Sequence, residues 1–362
     1  MLKIIKIIIS FFILLLLFLN LYPPLGRRTN KEKVRRFTTK ENFAKGKFLN
    51  QLPAGQAMSL KHTGSILRDY IKGNPKRRPD HPIVIGAKEP ASSVNSNKIT
   101  WFGHSAFMLE LDGKTILVDP MFGKAPTPFP WFGNKRFSGE LPIDLDLLPP
   151  IDAVLLSHDH YDHLDYFSIK KLKDKVGQFI VPLGVGGHLE RWGVKKELIQ
   201  EHNWWDEVSF KELQFVCTPA RHFSGRSLSD GNTTLWCSWV INGKQEKVFF
   251  SGDSGYGGHF KEIGEKYGPF DLTLMECGQY DERWSTIHMM PEETVQAHID
   301  VEGKLMIPIH WAGFTLSFHD WTDPIERVTK AANDHAVQVC TPQLGEPVMI
   351  GTADFPQTKW WK

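Results

Sequence analysis

The stretch "LSHDHYDHLD", residues 156–165, places three histidines and three aspartates in ten positions directly behind the largely apolar run "IDAVLL". Such crowding has two readings, an acidic solvated loop or the mouth of a metal site. The spacing H-x-H-x-D-H bears on the choice, and the company at later strand ends carries it. On an extended backbone His158 and His160 alternate, so both point to one side. A turn at Tyr161 then brings Asp162 and His163 to a neighbouring point. Four ligands of this hardness on so short a loop suit two adjacent Zn²⁺-like cations better than one. The fold must therefore deliver a loop of ligands at the carboxyl end of a buried strand.

Later strand ends repeat the pattern. "VCTPARHFSGR" supplies His222, "VFFSGDSGYGG" supplies Asp253 among glycines that let the backbone crowd a site, and "LMIPIHWAGF" supplies His310. From residue 98 the chain is a series of short β-branched or aromatic runs, including "KITWFGHSAFMLEL", "KTILVDP", "QFIVP", "TLWCSWVI" and "LTLMEC". Between them "DYFSIKKLKDK", "GGHLERWG", "PEETVQAHIDV" and "DPIERVTKAANDH" read as helices. Strand pairs early and strand–helix alternation later predict an α/β fold, sheets with helices packed outside.

This ligand set, in this order, resembles the metallo-β-lactamase fold superfamily over residues 98–352. The resemblance implies a four-layer αββα sandwich and a dinuclear zinc site, in which iron or manganese could also sit. Carried over position by position, His158, His160 and His222 would hold one zinc, Asp162, His163 and His310 the other, and Asp253 would bridge. Asp119 in "ILVDP" matches a strand-end aspartate that would fix the tautomer of a ligand histidine, with a turn cap before Pro120 as its alternative role. His104 in "WFGHSAF" lies near the same edge in such proteins, as a substrate-side group or a structural hydrogen-bonding one.

Outside the ligands, "PPIDAVLLSHDHYDHLDYFSI", "GNKRFSG" and "YDERWSTIHMMPEETVQAHID" are similar to the branch of phospholipase D enzymes that hydrolyse N-acylphosphatidylethanolamine. In that branch a histidine just before the "PEE" helix assists catalysis, which implies His288 here, and Asp162 counts with it among the catalytic residues. Ile287 stands where the animal enzymes carry glutamine, a departure at the substrate contacts. The activity implied is hydrolysis of N-acylphosphatidylethanolamine to N-acylethanolamine and phosphatidic acid by a hydroxide shared between two metals. A lactonase or other small-ester hydrolase is the alternative, because this scaffold hosts many substrates.

"IIKIIISFFILLLLFLNLY", residues 4–22, carries one charge and reaches roughly 28 Å as a helix, about the thickness of a hydrocarbon core. We expect residues 1–24 to form a transmembrane anchor that meets the bilayer through residues 4–22. A cleaved signal peptide is the rival, disfavoured by the bulky residues of "LNLYPPLGRR". Residues 25–97 read as a basic juxtamembrane tether and extension, and residues 98–362 as the hydrolase domain. The run "RRTNKEKVRR" favours the cytoplasmic face, although Lys3, Lys6 and the amino terminus compete for the same side.

Residues 1–36 hold eight Lys/Arg against Glu32 alone, so a net charge of +2 leaves the remainder at −5. A mildly acidic body argues against a nucleic-acid enzyme, which needs a basic surface. The expected partner is a membrane phospholipid substrate, with a homodimer also open. The aromatic loop "PTPFPWFGNKRF", with Lys135 and Arg136, reads either as an interfacial element or as core beneath a long loop. Four dispersed cysteines form no C-x-x-C pair and read as free core thiols.

Overall fold

The computed structural model describes residues 2–27, 31–54, 60–86, 97–227 and 229–362. Arg28, Thr29 and Asn30 of the basic run, and residues 55–59 and 87–96 of the extension, lie outside the described residues. The chain opens with helices α1 (Leu2–Leu21), α2 (Lys31–Phe37) and α3 (Leu60–Lys72), and with a small hairpin of β1 (Phe43–Ala44) and β2 (Lys47–Phe48). There follow β3 (Lys98–Trp101), β4 (Phe107–Leu111), β5 (Lys114–Val118), β6 (Ile151–Leu155), α4 (Tyr166–Leu172), β7 (Val176–Pro182), α5 (Gly186–Arg191) and β8 (Ile199–His202). The second half contains β9 (Glu207–Phe210), β10 (Leu213–Thr218), β11 (Ser238–Asn242), β12 (Lys247–Phe250), α6 (His259–Tyr267), β13 (Phe270–Glu276), α7 (Pro291–Asp300), β14 (Gly303–Ile309), α8 (Asp323–Asp334), β15 (Gln338–Val339) and β16 (Pro347–Met349).

Two seven-stranded mixed sheets form, ordered β16-β3-β4-β5-β6-β7-β8 and β15-β14-β13-β12-β11-β10-β9. In each, one half is antiparallel and the other parallel, the change falling at β5 and at β12. The alternation of side chains along each strand sorts the core into layers. On β6, Ala153 and Leu155 join Trp239, Phe250 and Leu274 in the core between the sheets, while Val154 turns to the other side, against Ile169 and Leu172 of α4 and Leu189 of α5. Ile263, Val295 and Val328, from α6, α7 and α8, complete the central cluster from the second sheet's side. Central strands buried on both faces need apolar residues in both alternating sets, as "AVLL" and "LTLM" have.

Helix α1 is long and apolar enough to cross a membrane, and its described side chains are exposed. The stretch read as tether and extension is packed closely: Phe37, Phe43 and Phe48 contact one another and belong to the central core. The aromatic loop is divided: Trp131 and Phe132 are exposed, whereas Phe137 at its end belongs to the central core. Of its cation pair, Lys135 is exposed and Arg136 is buried. Its guanidinium donates to the Met121 carbonyl and lies over the Phe314 ring. All four cysteines are free and buried.

Candidate metal centre

Strands of both sheets bring their carboxyl ends to one edge, and chemistry collects there. β5 ends at Asp119, β6 leads into His158, β10 into His222, β12 into Asp253, and β14 into His310. Gly252 makes the approach of Asp253 feasible. Its φ is +57°, and a Cβ there would lie 2.5 Å from the Cys237 carbonyl oxygen. His104, Asp119 and His310 all hold positive φ (55°, 40° and 67°), backbone strain of roughly 1–3 kcal/mol each that the packed strands sustain.

Three ring nitrogens meet at one point. His158 Nε2 lies 2.9 Å from His160 Nδ1, which lies 3.2 Å from His222 Nε2. The far nitrogens settle two tautomers. Ser157 spends its one hydroxyl proton on Asp119, so it must accept from His158 Nδ1–H, at 2.9 Å. His222 Nδ1–H donates to the Ile287 carbonyl at 2.9 Å. Both Nε2 atoms therefore present lone pairs to the same spot, an arrangement that a shared cation satisfies.

A second cluster gathers Asp162, His163, His310 and His104. Asp119 accepts from His163 Nδ1 at 2.7 Å, which leaves His163 Nε2 facing the site as a buried nitrogen without a hydrogen-bond partner. Asp253 stands between the clusters. Its Oδ2 is 3.0 Å from His163 Nε2 and 3.8 Å from both His158 Nε2 and His222 Nε2, and its Oδ1 is 3.2 Å from His310 Nδ1. Two convergent donor sets sharing one carboxylate, with an orphaned buried nitrogen between carboxylates, fit a pair of divalent cations.

Electrostatics point the same way. Burial pushes His158, His222 and His310 well below the ordinary histidine range, so they are neutral donors. His163 goes the other way: burial opposes its charge, but Asp253, Asp162 and Asp119 outweigh that and raise it well above the usual value. Burial alone would raise Asp162 and Asp253, yet the surrounding imidazoles hold both well below the carboxylate range. A cation would take over the charge that His163 carries, releasing a proton.

Of the other expected residues, His104 is buried behind Asp162 rather than on the substrate side. Its Nε2–H donates to Asp162 Oδ2 at 2.8 Å, which makes it an orienting group for that carboxylate. Ile287 lines the cavity with its side chain and steadies His222 with its carbonyl. His288 also lines the cavity, and behind it stands a group that sequence reasoning missed. Glu276, fully buried at the end of β13, places Oε2 3.6 Å from His288 Nδ1, and each atom lacks another partner. Burial raises the Glu276 carboxyl to about 7, partly offset by His288. The signal was present in "LTLMEC", an acid ending an apolar strand as Asp119 does.

The cavity above this floor measures 520 Å³. His160, Asp162, Asp253, His288 and His310 reach it from below, and Ile66, Phe223, Trp284, Ile287 and Leu316 form an apolar wall. Arg283 also lines it but is committed to Asp281 and Asp69.

Fold and site together define a metallo-hydrolase of the β-lactamase class. A β-lactamase superfamily domain model matches residues 114–311, and the chain belongs to that superfamily. It is 40% identical over 327 residues to an uncharacterised protein of Mycobacterium tuberculosis, covering 89% of this chain and 87% of that protein. An N-acyl-phosphatidylethanolamine-hydrolyzing phospholipase D of Caenorhabditis elegans is 34% identical over 229 residues, 60% of this chain and 64% of the relative. Among solved structures, the metallo hydrolase Igni18 from Ignicoccus hospitalis shares the fold with a TM-score of 0.53 at 22% identity, covering 71% of this chain and 100% of that one.

Proposed function

We propose that the protein is a membrane-associated phosphodiesterase that uses two zinc ions and cleaves N-acylphosphatidylethanolamine into N-acylethanolamine and phosphatidic acid. The observation that carries this reading is the apolar cavity standing directly over the ligand floor. Such a cavity accepts acyl chains while the phosphodiester reaches the polar floor. The relative from C. elegans, named for that hydrolysis, supports the choice of substrate. The apolar helix α1 supports action at a bilayer.

His158, His160 and His222 would hold one cation and Asp162, His163 and His310 the other, with Asp253 between. What such cations supply when bound is Lewis acidity, which makes water nucleophilic at neutral pH and compensates charge on phosphoryl oxygens. The protein's own groups do the rest. Asp119 and His104 hold His163 and Asp162 in orientation. The apolar wall excludes water from around the phosphodiester. With Nδ1 of His288 directed at Glu276, Nε2 is left to donate a proton to the departing oxygen or to a phosphate oxygen. Arg283 is already paired, so phosphate charge is met by the floor rather than by a wall guanidinium.

The test is turnover of N-acylphosphatidylethanolamine in mixed micelles by zinc-loaded protein, with products read by mass spectrometry beside an Asp253→Ala variant. Phosphatidic acid and N-acylethanolamine from the unaltered protein alone are expected. Two zincs bound per chain with no lipid product, but with cleavage of a lactone panel, would replace this reading by the small-ester one.

A further inference from the structure

We infer that Trp131 and Phe132 enter the headgroup–acyl boundary of the bilayer leaflet that α1 leaves, giving the enzyme a second membrane contact and a fixed orientation. The inference rests on the reading of α1 as a membrane helix. Both side chains are 68% exposed, in a molecule whose other large aromatics mostly fill the core. An exposed Trp–Phe pair is costly in water and favoured at a membrane interface, where Trp in particular concentrates.

The place of the pair is set by contact with the helix. Phe129, two residues before Trp131, stacks on Tyr22 at 5.3 Å and on Phe18 at 6.2 Å. The Tyr22 hydroxyl donates to the Pro128 carbonyl at 2.8 Å. The loop thus meets the end of the apolar helix, continuing its surface. Pro126, Pro128 and Pro130 stiffen it, so little conformational freedom remains to be lost on insertion. Exposed Lys124 and Lys135 flank it, where anionic headgroups would be met.

The helix cannot easily swing away. Trp192 Nε1 donates to the Pro23 carbonyl and Arg226 Nη2 to the Pro24 carbonyl, each at 2.8 Å, while Arg191 donates to the Asn20 and Gly26 carbonyls. Arg226 also donates to the Asp159 carbonyl at 2.6 Å and the Leu164 carbonyl at 2.8 Å. The helix exit is therefore tied to the loop that carries the candidate ligands, and the body has one preferred attitude toward the bilayer.

The experiment uses the full chain in phosphatidylcholine vesicles containing a minority of phosphatidylglycerol. Because the native cysteines are all buried, a polarity-sensitive thiol dye can be placed selectively at Phe132→Cys, Ile9→Cys or Lys244→Cys. The expected result is a blue shift at 132 on reconstitution, with quenching several-fold stronger by bromines near the headgroup than by bromines at the chain ends. Ile9 should show the reverse depth preference. A dye at 132 that stays as wet as the one at 244, while Ile9 is quenched, overturns the inference and leaves α1 as a membrane helix. No quenching at either 9 or 132 overturns both. A blue shift at 132 that grows with protein concentration and ignores brominated lipid assigns the patch to a second copy of the chain, and overturns the inference too.

Discussion

The Asp119 carboxylate accepts a hydrogen bond from His163 Nδ1 at 2.7 Å, and this contact decides which nitrogen of His163 faces the site. The same carboxylate takes the Ser157 hydroxyl, and through it orders His158. One buried aspartate thus orients a histidine in each donor cluster. Asp119→Asn, which replaces one acceptor by a donor, should lower metal affinity by about 10–100-fold while leaving the fold intact. Chelator competition with zinc, together with circular dichroism, checks this. Unchanged affinity would return Asp119 to the role of a turn cap.

Glu276 stands behind His288 as Asp119 stands behind His163. Removing it should free the imidazole to turn. Glu276→Gln is expected to reduce kcat by about 100-fold, within the range of a single acid–base contribution, with KM and zinc content little changed. Steady-state kinetics and metal analysis on the same preparation separate this from simple loss of the metals. A variant that loses zinc in proportion to activity would make Glu276 a structural support only.

Acid sensitivity has a source outside the site. His298 on α7 is buried against Thr273, and burial alone lowers it to about 4. The unfolded chain takes up a proton near pH 6.5, whereas the folded chain waits until about 4. The unfolded state therefore binds more protons between these values, and stability falls as pH drops from 6.5 toward 4. The full effect is up to about 3 kcal/mol. Urea unfolding at pH 7 and pH 4.5 should show the drop, and His298→Gln should lessen it.

Phe48 tests whether the amino-terminal extension is part of the hydrolase body. It is completely buried against Phe37 and Phe43, and its amide donates to the Asn232 carbonyl. Two residues on, Asn50 donates to the His222 carbonyl and accepts from its amide. Phe48→Ala should cost about 3–5 kcal/mol in urea unfolding. A loss under 1 kcal/mol would mean that the segment is only loosely attached.

Much of this was readable from the chain, and the boundary of legibility is physical. Ligands on one short loop, such as His158, His160, Asp162 and His163, are related by local backbone geometry, so their spacing already implied convergence. Apolar runs ending in His222, Asp253 and His310 implied strand ends, and a sheet brings parallel strand ends to one edge. The strands β8, β9 and β15 and the helix α6 escaped notice because short or mixed-polarity segments carry weak periodicity. Glu276 was hidden in a strand end whose partner, His288, comes from a separate loop. His104 carried no mark of facing Asp162 rather than the cavity. Trp131, Phe132 and Arg136 inverted ordinary expectation, with the aromatics outside and the cation inside. Composition records what a side chain prefers, whereas exposure depends on which distant segment packs over it. The local pattern of the sequence thus determined which residues could hold metal. The convergence of the end of β6, from one sheet, with the ends of β10, β12 and β14, from the other, and the docking of Tyr22 on Phe129, were decided only by tertiary contacts between residues far apart in the chain.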